Sequence, residues 1–517
     1  GLLGVFGAAG LAPEVVRQSI RRIRAQIASD APFGVNLIHS PSEPELERAT
    51  VAVLLEEGVR SVSASAYLDL TLAVVRFRVA GIHEDAAGRV VAPNRLLAKV
   101  SRLETARRFL NPPPERHLAA LVEQGAITPA QAALASRIPM AEDITAEADS
   151  GGHTDNRPLV VLLPQIQALR DAIQAERHYT SPPRVGAAGG LGTPDALAMA
   201  FGLGAAYVLT GSINQATREA GTSDRVREML AAAASTDVTM APAADMFELG
   251  VDLQVLSRGT LFPVRARRLY QLWRERGTVA ALTAAERDEL ERNVFGVSLE
   301  EAWAQTESFW RERDPSQLVR AGSDEKHRMA LLFRSYLGQS SRWANAGQTE
   351  RAADFQIWCG PSMGAFNGWA RGGRFERWQD RSVAPIARAL LVGAAASARA
   401  SALRGQGVAV PSWTAPALDD AALHALLDPP WDEEQRPGAV EPVTVSGRQA
   451  AGEAIAIVGM ACVFPGSEGL VAFRRALRSG ADAITELPET DGYWRREDYV
   501  QEGGGPDHLY TSRGGFL

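Results

Sequence analysis

Two apolar runs end in bare glycine: Pro183-Arg-Val-Gly-Ala-Ala-Gly-Gly190 and Ala205-Ala-Tyr-Val-Leu-Thr-Gly-Ser212. Without a Cβ at Gly189, Gly190 and Gly211, main-chain N–H groups can close on a phosphate, and a helix opening after Ser212 adds the positive end of its dipole. Each run alone also fits a tight turn. The order strand, Gly-Gly, helix, strand, Gly-Ser favours the phosphate, because consecutive strands of a parallel β/α barrel present such a grip on one rim. A dinucleotide-binding Rossmann turn fits less well, since Gly186-x-x-Gly189-Gly190-x-Gly192 lacks the G-x-G-x-x-G spacing.

Other residues of chemical interest fall at strand ends. The segment Ala148-Asp-Ser-Gly-Gly-His-Thr-Asp-Asn-Arg157 follows a strand, so a barrel places His153 on the same rim, where an imidazole can act as acid, base or donor. Its glycines allow close approach to a planar ring. A histidine that merely fixes its loop is the competing reading. Asn36, in Phe33-Gly-Val-Asn-Leu37, has an amide that can both donate to and accept from a heterocycle, or simply cap its strand. Lys99 is a cation in an apolar strand and requires an anion, either a carboxylate of the fold or a reduced cofactor ring. The run Arg258, Arg265, Arg267, Arg268, Arg274 and Arg276, with Phe262, Tyr270 and Trp273 between them, reads as a solvated helix face with aromatics turned inward. Docking of an acidic carrier protein or its phosphopantetheine arm is the weaker alternative.

The elements that must position these residues alternate. From 1 to 230 short apolar strands and amphipathic helices predict a parallel α/β sheet, closed or doubly wound. The strands are expected at Leu2–Ala8, Gly34–Ile38, Ser61–Ala64, Leu97–Val100, Ile144–Ala148, Arg184–Ala188 and Tyr207–Thr210. That is one short of a TIM-type (β/α)8 barrel, and a start at Gly1 without methionine is read as a cut that leaves the first strand before Gly1. Thr193-Pro194 marks a helix start, and Ser42-x-x-Glu45, Thr128-Pro129-x-Gln131, Thr283-x-x-Glu286 and Ser298-x-x-Glu301 have the pattern of capping boxes. Residues 231–403 read as a helical subdomain, 404–452 as a proline-rich linker, and 453–517 as a further apolar unit.

A chain of 517 residues holds two to four domains at ~100–200 residues each. With 46% apolar and 22% charged residues and a net charge of −7, it is an ordinary acidic globular chain, with no case for nucleic-acid binding. The two cysteines, Cys359 and Cys462, show no metal-ligand or redox spacing, so no metal is expected and a reducing, cytoplasmic compartment is. The stretch from Ala389 to Leu403 is too short and weak to be expected to span a membrane.

Several of these segments together carry a resemblance. Gly4-Val-Phe-Gly-Ala-Ala-Gly-Leu11, Gly34-Val-Asn-Leu37, Ala98-Lys-Val-Ser-Arg102, Glu147 to Asn156, Gly189-Gly190 and Thr210-Gly-Ser212 resemble the trans-acting enoyl reductases of polyketide and polyunsaturated fatty acid synthases. These reductases are relatives of FMN-dependent nitronate monooxygenases. The likeness continues through Ala241-Pro-Ala-Ala-Asp-Met-Phe-Glu248, Arg258-Gly-Thr-Leu-Phe-Pro263 and Cys359-Gly-Pro-Ser-Met-Gly364. It implies FMN phosphate on Gly189, Gly190, Gly211 and Ser212, ring contacts from Asn36 and Lys99, and a substrate-facing His153. It also implies NADPH as reductant, and as partners an acyl carrier protein bearing a phosphopantetheine-bound enoyl chain and other synthase domains; self-association is left open. Ile455-Ala-Ile-Val-Gly-Met-Ala-Cys-Val-Phe-Pro-Gly466 is similar to the opening of a polyketide ketosynthase, in which Cys462 is not the nucleophile. A nitronate monooxygenase-like oxidase and a non-catalytic docking barrel are the alternative readings.

Overall fold

The computed structural model describes residues 2–28, 31–39 and 43–410, together with the short strand pairings of Val463–Phe464 with Ser467–Glu468 and of Thr485–Glu486 with Arg513–Gly514. The chain divides into two compact units, Gly1–Trp431 and Asp432–Leu517. Ser42, Cys462 and the linker beyond 410 lie outside the described residues.

Seven strands form the central sheet: Gly4–Phe6, Phe33–Ile38, Ser61–Ser65, Arg95–Val100, Asp143–Glu147, Arg184–Ala188 and Val208–Leu209. Each pairs in parallel with its neighbours in chain order. A doubly wound sheet would reverse its strand order at a switch point. Sequential order instead gives a sheet that curls toward a barrel. Among the described residues no ladder joins Val208–Leu209 to Gly4–Phe6, so the barrel is open there.

The sheet has two chemically different faces. Val35, Leu37, Val62, Ala64, Leu96, Ala98, Ile144, Ala146, Val185 and Ala187 join the core beneath the helices. The alternate positions, Asn36, Ser63, Lys99, Thr145, Glu147 and Gly186 among them, share the opposite, concave face. This face is small and polar where an ordinary barrel packs branched aliphatics.

Helix starts follow the expected caps. Thr193 Oγ1 accepts the Ala196 N–H with Pro194 next in line, and reciprocal boxes form at Thr128/Gln131 and Thr283/Glu286. At Ser298 only half the box is made, from the Glu301 N–H to the serine oxygen. Ser212–Ala216 is a five-residue 3-10 helix rather than an α-helix. Such a turn aligns fewer peptide dipoles than expected from the sequence.

The region after residue 230 opens with a sheet that the sequence does not announce. Val238–Pro242 and Asp252–Leu256 pair antiparallel, and Gly152–His153 adds as a third strand. Helices Phe262–Arg276, Leu299–Arg313 and Glu325–Ala346 follow, with Phe247, Phe262, Trp273, Phe333 and Tyr336 in a second core. Helix Val383–Gly405, grouped with this region by sequence, packs on the barrel instead. Its Ile386, Leu390 and Ala394 join the barrel core. It is long and apolar enough by composition to cross a membrane, contrary to the expectation from the Ala389 to Leu403 stretch, and a third of its most apolar window is buried.

Candidate functional site

At the carboxyl ends of the strands a cavity of about 230 Å³ is lined by Asn36, Glu47, His153, Asp245 and Trp358 among others. The structure thus brings two predicted residues, Asn36 and His153, to one space. The Ser65 hydroxyl donates to Asn36 Oδ1 at 2.7 Å, which orients the amide and leaves its N–H groups for another acceptor.

His153 sits in a strand rather than a free loop, in register with Leu253. Its Nε2 lies 3.0 Å from Asp245 Oδ1, and its ring meets Trp358 edge to face at 5.7 Å. Burial pushes the Asp245 carboxyl up, but the hydrogen bond and charge of His153 more than offset this and leave it below the usual carboxylate range. The carboxylate therefore accepts from Nε2–H and directs Nδ1 to other work. Asp245 lies within the Ala241 to Glu248 segment, yet no spacing in the sequence ties it to a histidine 92 residues away.

The glycines before His153 have an internal partner. A Cβ on Gly152 would fall 2.8 Å from the Trp358 ring, and one on Gly151 would fall 2.9 Å from the Cys359 backbone. The planar ring that they admit is the protein's own indole. Cys359 itself is buried, which pushes its thiol up to about 12 and leaves it a packing residue.

The loop is clamped at its far end. Asp155 accepts from the Ser101 hydroxyl at 2.6 Å and from Arg102 Nε and Nη2 at 2.9 and 2.8 Å. The Arg102 bond outweighs burial and holds the Asp155 carboxyl at about 2. Because the folded value lies below the ordinary 3.8, the clamp contributes fully at neutral pH and is lost as pH falls through that interval. With Arg102 half exposed, solvent screens the pair, and Asp155→Ala should cost about 1 kcal/mol in a chemical melt at pH 7 and nearly nothing at pH 2.

Lys99 finds its anion in the fold: Nζ lies 2.8 Å from Glu147 Oε1, both side chains being partly exposed on the concave face. Neither lines the cavity described above. The four phosphate-grip residues stand at the ends of the last two strands, also outside that lining. Gly189 has φ +85°, and a Cβ there would strike the Ala148 carbonyl carbon at 2.6 Å, so its role in the turn is obligatory. Gly190 and Gly211 differ, since a Cβ on either would meet nothing within 4 Å. Ser212 Oγ accepts the Gly360 N–H at 3.0 Å, leaving its own proton to donate.

Sequence reasoning also passed over Glu47. This buried carboxylate accepts from Tyr67 Oη and His39 Nδ1, each at 2.8 Å, and from Thr71 Oγ1. Burial and then the Glu47 charge drive the Tyr67 phenol well above its ordinary value, so it remains a donor. The arginine run is almost fully engaged internally: Arg258 with Asp237, Arg265 with Asp354, Arg267 with the Met240 carbonyl, Arg268 with Glu289 and Arg276 with Glu286. Phe262 and Trp273 are buried beneath it. Its charges are thus largely met within the fold.

Fold and site define a parallel β/α-barrel enzyme domain with its polar pocket at the carboxyl ends of the strands. Comparison with known proteins narrows this. The enoyl reductase domain of MlnA, from the macrolactin cluster of Bacillus amyloliquefaciens, superposes with a TM-score of 0.75 at 36% identity, covering 78% of this chain and 91% of that domain. A polyunsaturated fatty acid synthase component of Thraustochytrium is 47% identical over 72% of this chain and 25% of its own length. Polyketide biosynthesis protein PksE of Bacillus subtilis is 41% identical over 76% of this chain and 51% of its own length. The chain thus spans between about a quarter and a half of these two relatives. The inserted helical domain of [acyl-carrier-protein] S-malonyltransferase matches residues 277–355, and the N-terminal domain of β-ketoacyl synthase matches residues 452–517. The chain belongs to the family of enoyl reductase domains that includes the MlnA domain, and is an oxidoreductase by that kinship.

Proposed function

We propose that the barrel is an FMN-dependent enoyl reductase that consumes NADPH to reduce α,β-unsaturated acyl thioesters presented by an acyl carrier protein. The observation that carries this reading is the His153–Asp245 pair facing the same cavity as Asn36. The residues fit the cofactor. Gly190 and Gly211 leave open space beside bare backbone, and the buried Ser150 Oγ and Gln254 Oε1 have no hydrogen-bond partner among the described residues. The backbone of Gly190 and Gly211 and the Ser212 hydroxyl would hold the phosphate. Asn36 would bond the ring edge, and Lys99, balanced by Glu147, would place positive charge on the concave face.

When bound, FMN would supply the relay of one hydride, and so of two electrons, from NADPH to the β-carbon of the enoyl chain. His153 holds a proton at Nδ1, with Asp245 stabilising the imidazolium through Nε2, and delivers it to the α-carbon as the enolate collapses. The balance is one hydride and one proton added across the double bond, with NADP+ formed. The similarity of residues 277–355 to a helical domain of a carrier-protein transferase supports the carrier-bound form of the substrate. The test is an anaerobic spectrum. The FMN-loaded chain should bleach on NADPH and recover its colour on addition of an enoyl carrier-protein thioester; failure to take up FMN, or to be reoxidised by the thioester, overturns the reading.

A further inference from the structure

A second cavity of about 410 Å³ shares Gly10, Glu43, Ala244, Asp245 and Gly338 with the one that contains His153. Its outer wall comes from helices Leu299–Arg313 and Glu325–Ala346, which supply two aromatic rings, Phe309 and Trp310, two amides, Gln305 and Gln339, and three arginines. Two of the arginines are committed. Arg313 bonds Glu43, and the Arg334 Nε–H donates to the Ala244 carbonyl at 2.7 Å while its guanidinium covers Trp310. Arg342 is different: it is exposed, its guanidinium lies 5.2 Å from the Phe309 ring centroid, and no carboxylate pairs with it among the described residues.

A guanidinium held against an aromatic ring keeps its fork of N–H donors pointing sideways, which suits the bidentate recognition of a phosphate. The walls of this chamber combine the apolar rings of Phe309 and Trp310 with the side-chain amides of Gln305 and Gln339. That set of groups matches a phosphopantetheine arm, which has a phosphate at one end, then a gem-dimethyl carbon, then two amides, then the thioester. We propose that Arg342 anchors the phosphate of the carrier's phosphopantetheine arm while the arm threads this outer chamber to bring its thioester to the inner cavity. The inference rests on the carrier-thioester reading and makes Arg342 a positioning residue. The phosphates of NADPH are the other source of the same chemistry, and the test separates them.

Binding of 4′-phosphopantetheine, pantetheine and NADPH to the full chain and to Arg342→Gln is to be measured by calorimetry. The native chain should bind phosphopantetheine at least tenfold more tightly than pantetheine; Arg342→Gln should erase that difference and leave pantetheine and NADPH unchanged. Equal affinities in the native chain, a difference that survives the substitution, or a loss confined to NADPH each overturns the proposal. Turnover is a separate arm. A chain that shows the phosphate effect but never reduces an enoyl thioester refutes the reductase reading and keeps the arginine site.

Discussion

Replacing His153 by alanine should lower the turnover of an enoyl carrier-protein thioester by roughly 10²–10⁴-fold, the range that a positioned general acid supplies. The side chain is largely buried against Trp358, and its edge-to-face contact is worth only about 1 kcal/mol, so the variant should fold and can be judged on chemistry. Asp245→Asn is the informative companion. It keeps the shape of the pair and removes the carboxylate that accepts from Nε2–H, so turnover should fall toward the His153→Ala level while the melting temperature changes little. A purely structural histidine would predict the opposite pattern, with altered stability and unmoved turnover. Turnover within threefold of native for His153→Ala would assign the proton to solvent and reduce His153 to a loop anchor.

All seven strands of the barrel were legible in the sequence, because each is a short apolar run bracketed by turn or cap residues such as Thr128, Thr193 and Gly189. Their ends shift by a residue or two where pairing ceases, as at Tyr207–Thr210, of which only Val208–Leu209 is laddered. What escaped was tertiary. Val238–Pro242 ends in proline and Asp252–Leu256 alternates over only four residues, and what makes them a sheet is their pairing with each other and with the distant Gly152–His153. That pairing turned an expected loop into a strand and delivered Asp245 to the histidine. The anion for Lys99 was demanded by burial, but only the register of adjacent strands could identify it as Glu147. The same logic explains the arginine run. Its charges looked available in one dimension and are met in three by Asp237, Asp354, Glu286 and Glu289.

The paired glycines can be split experimentally, because the structure gives them unequal work. Gly211 has φ −122° and ψ −73°, outside the left-handed region but also outside the main α and β basins, and a Cβ there meets nothing within 4 Å. Gly211→Val should therefore cost about 1–3 kcal/mol of backbone strain with no steric clash at its Cβ. The same isopropyl group would fill the space in which a phosphate must approach the backbone, and FMN affinity should fall at least ~100-fold, or about 2.7 kcal/mol. Gly189→Ala should fail for a different reason. It forces a residue with a Cβ to φ +85° and into the Ala148 carbonyl, so the loss appears as a lowered melting temperature before any flavin is offered. Thermal melts beside FMN retention after ultrafiltration separate the two outcomes. If Gly211→Val keeps FMN as tightly as the native chain, the glycine runs serve only as turns and the cofactor's phosphate must be held elsewhere; if it loses FMN while still melting as a folded chain, the open space beside Gly211 is the cradle.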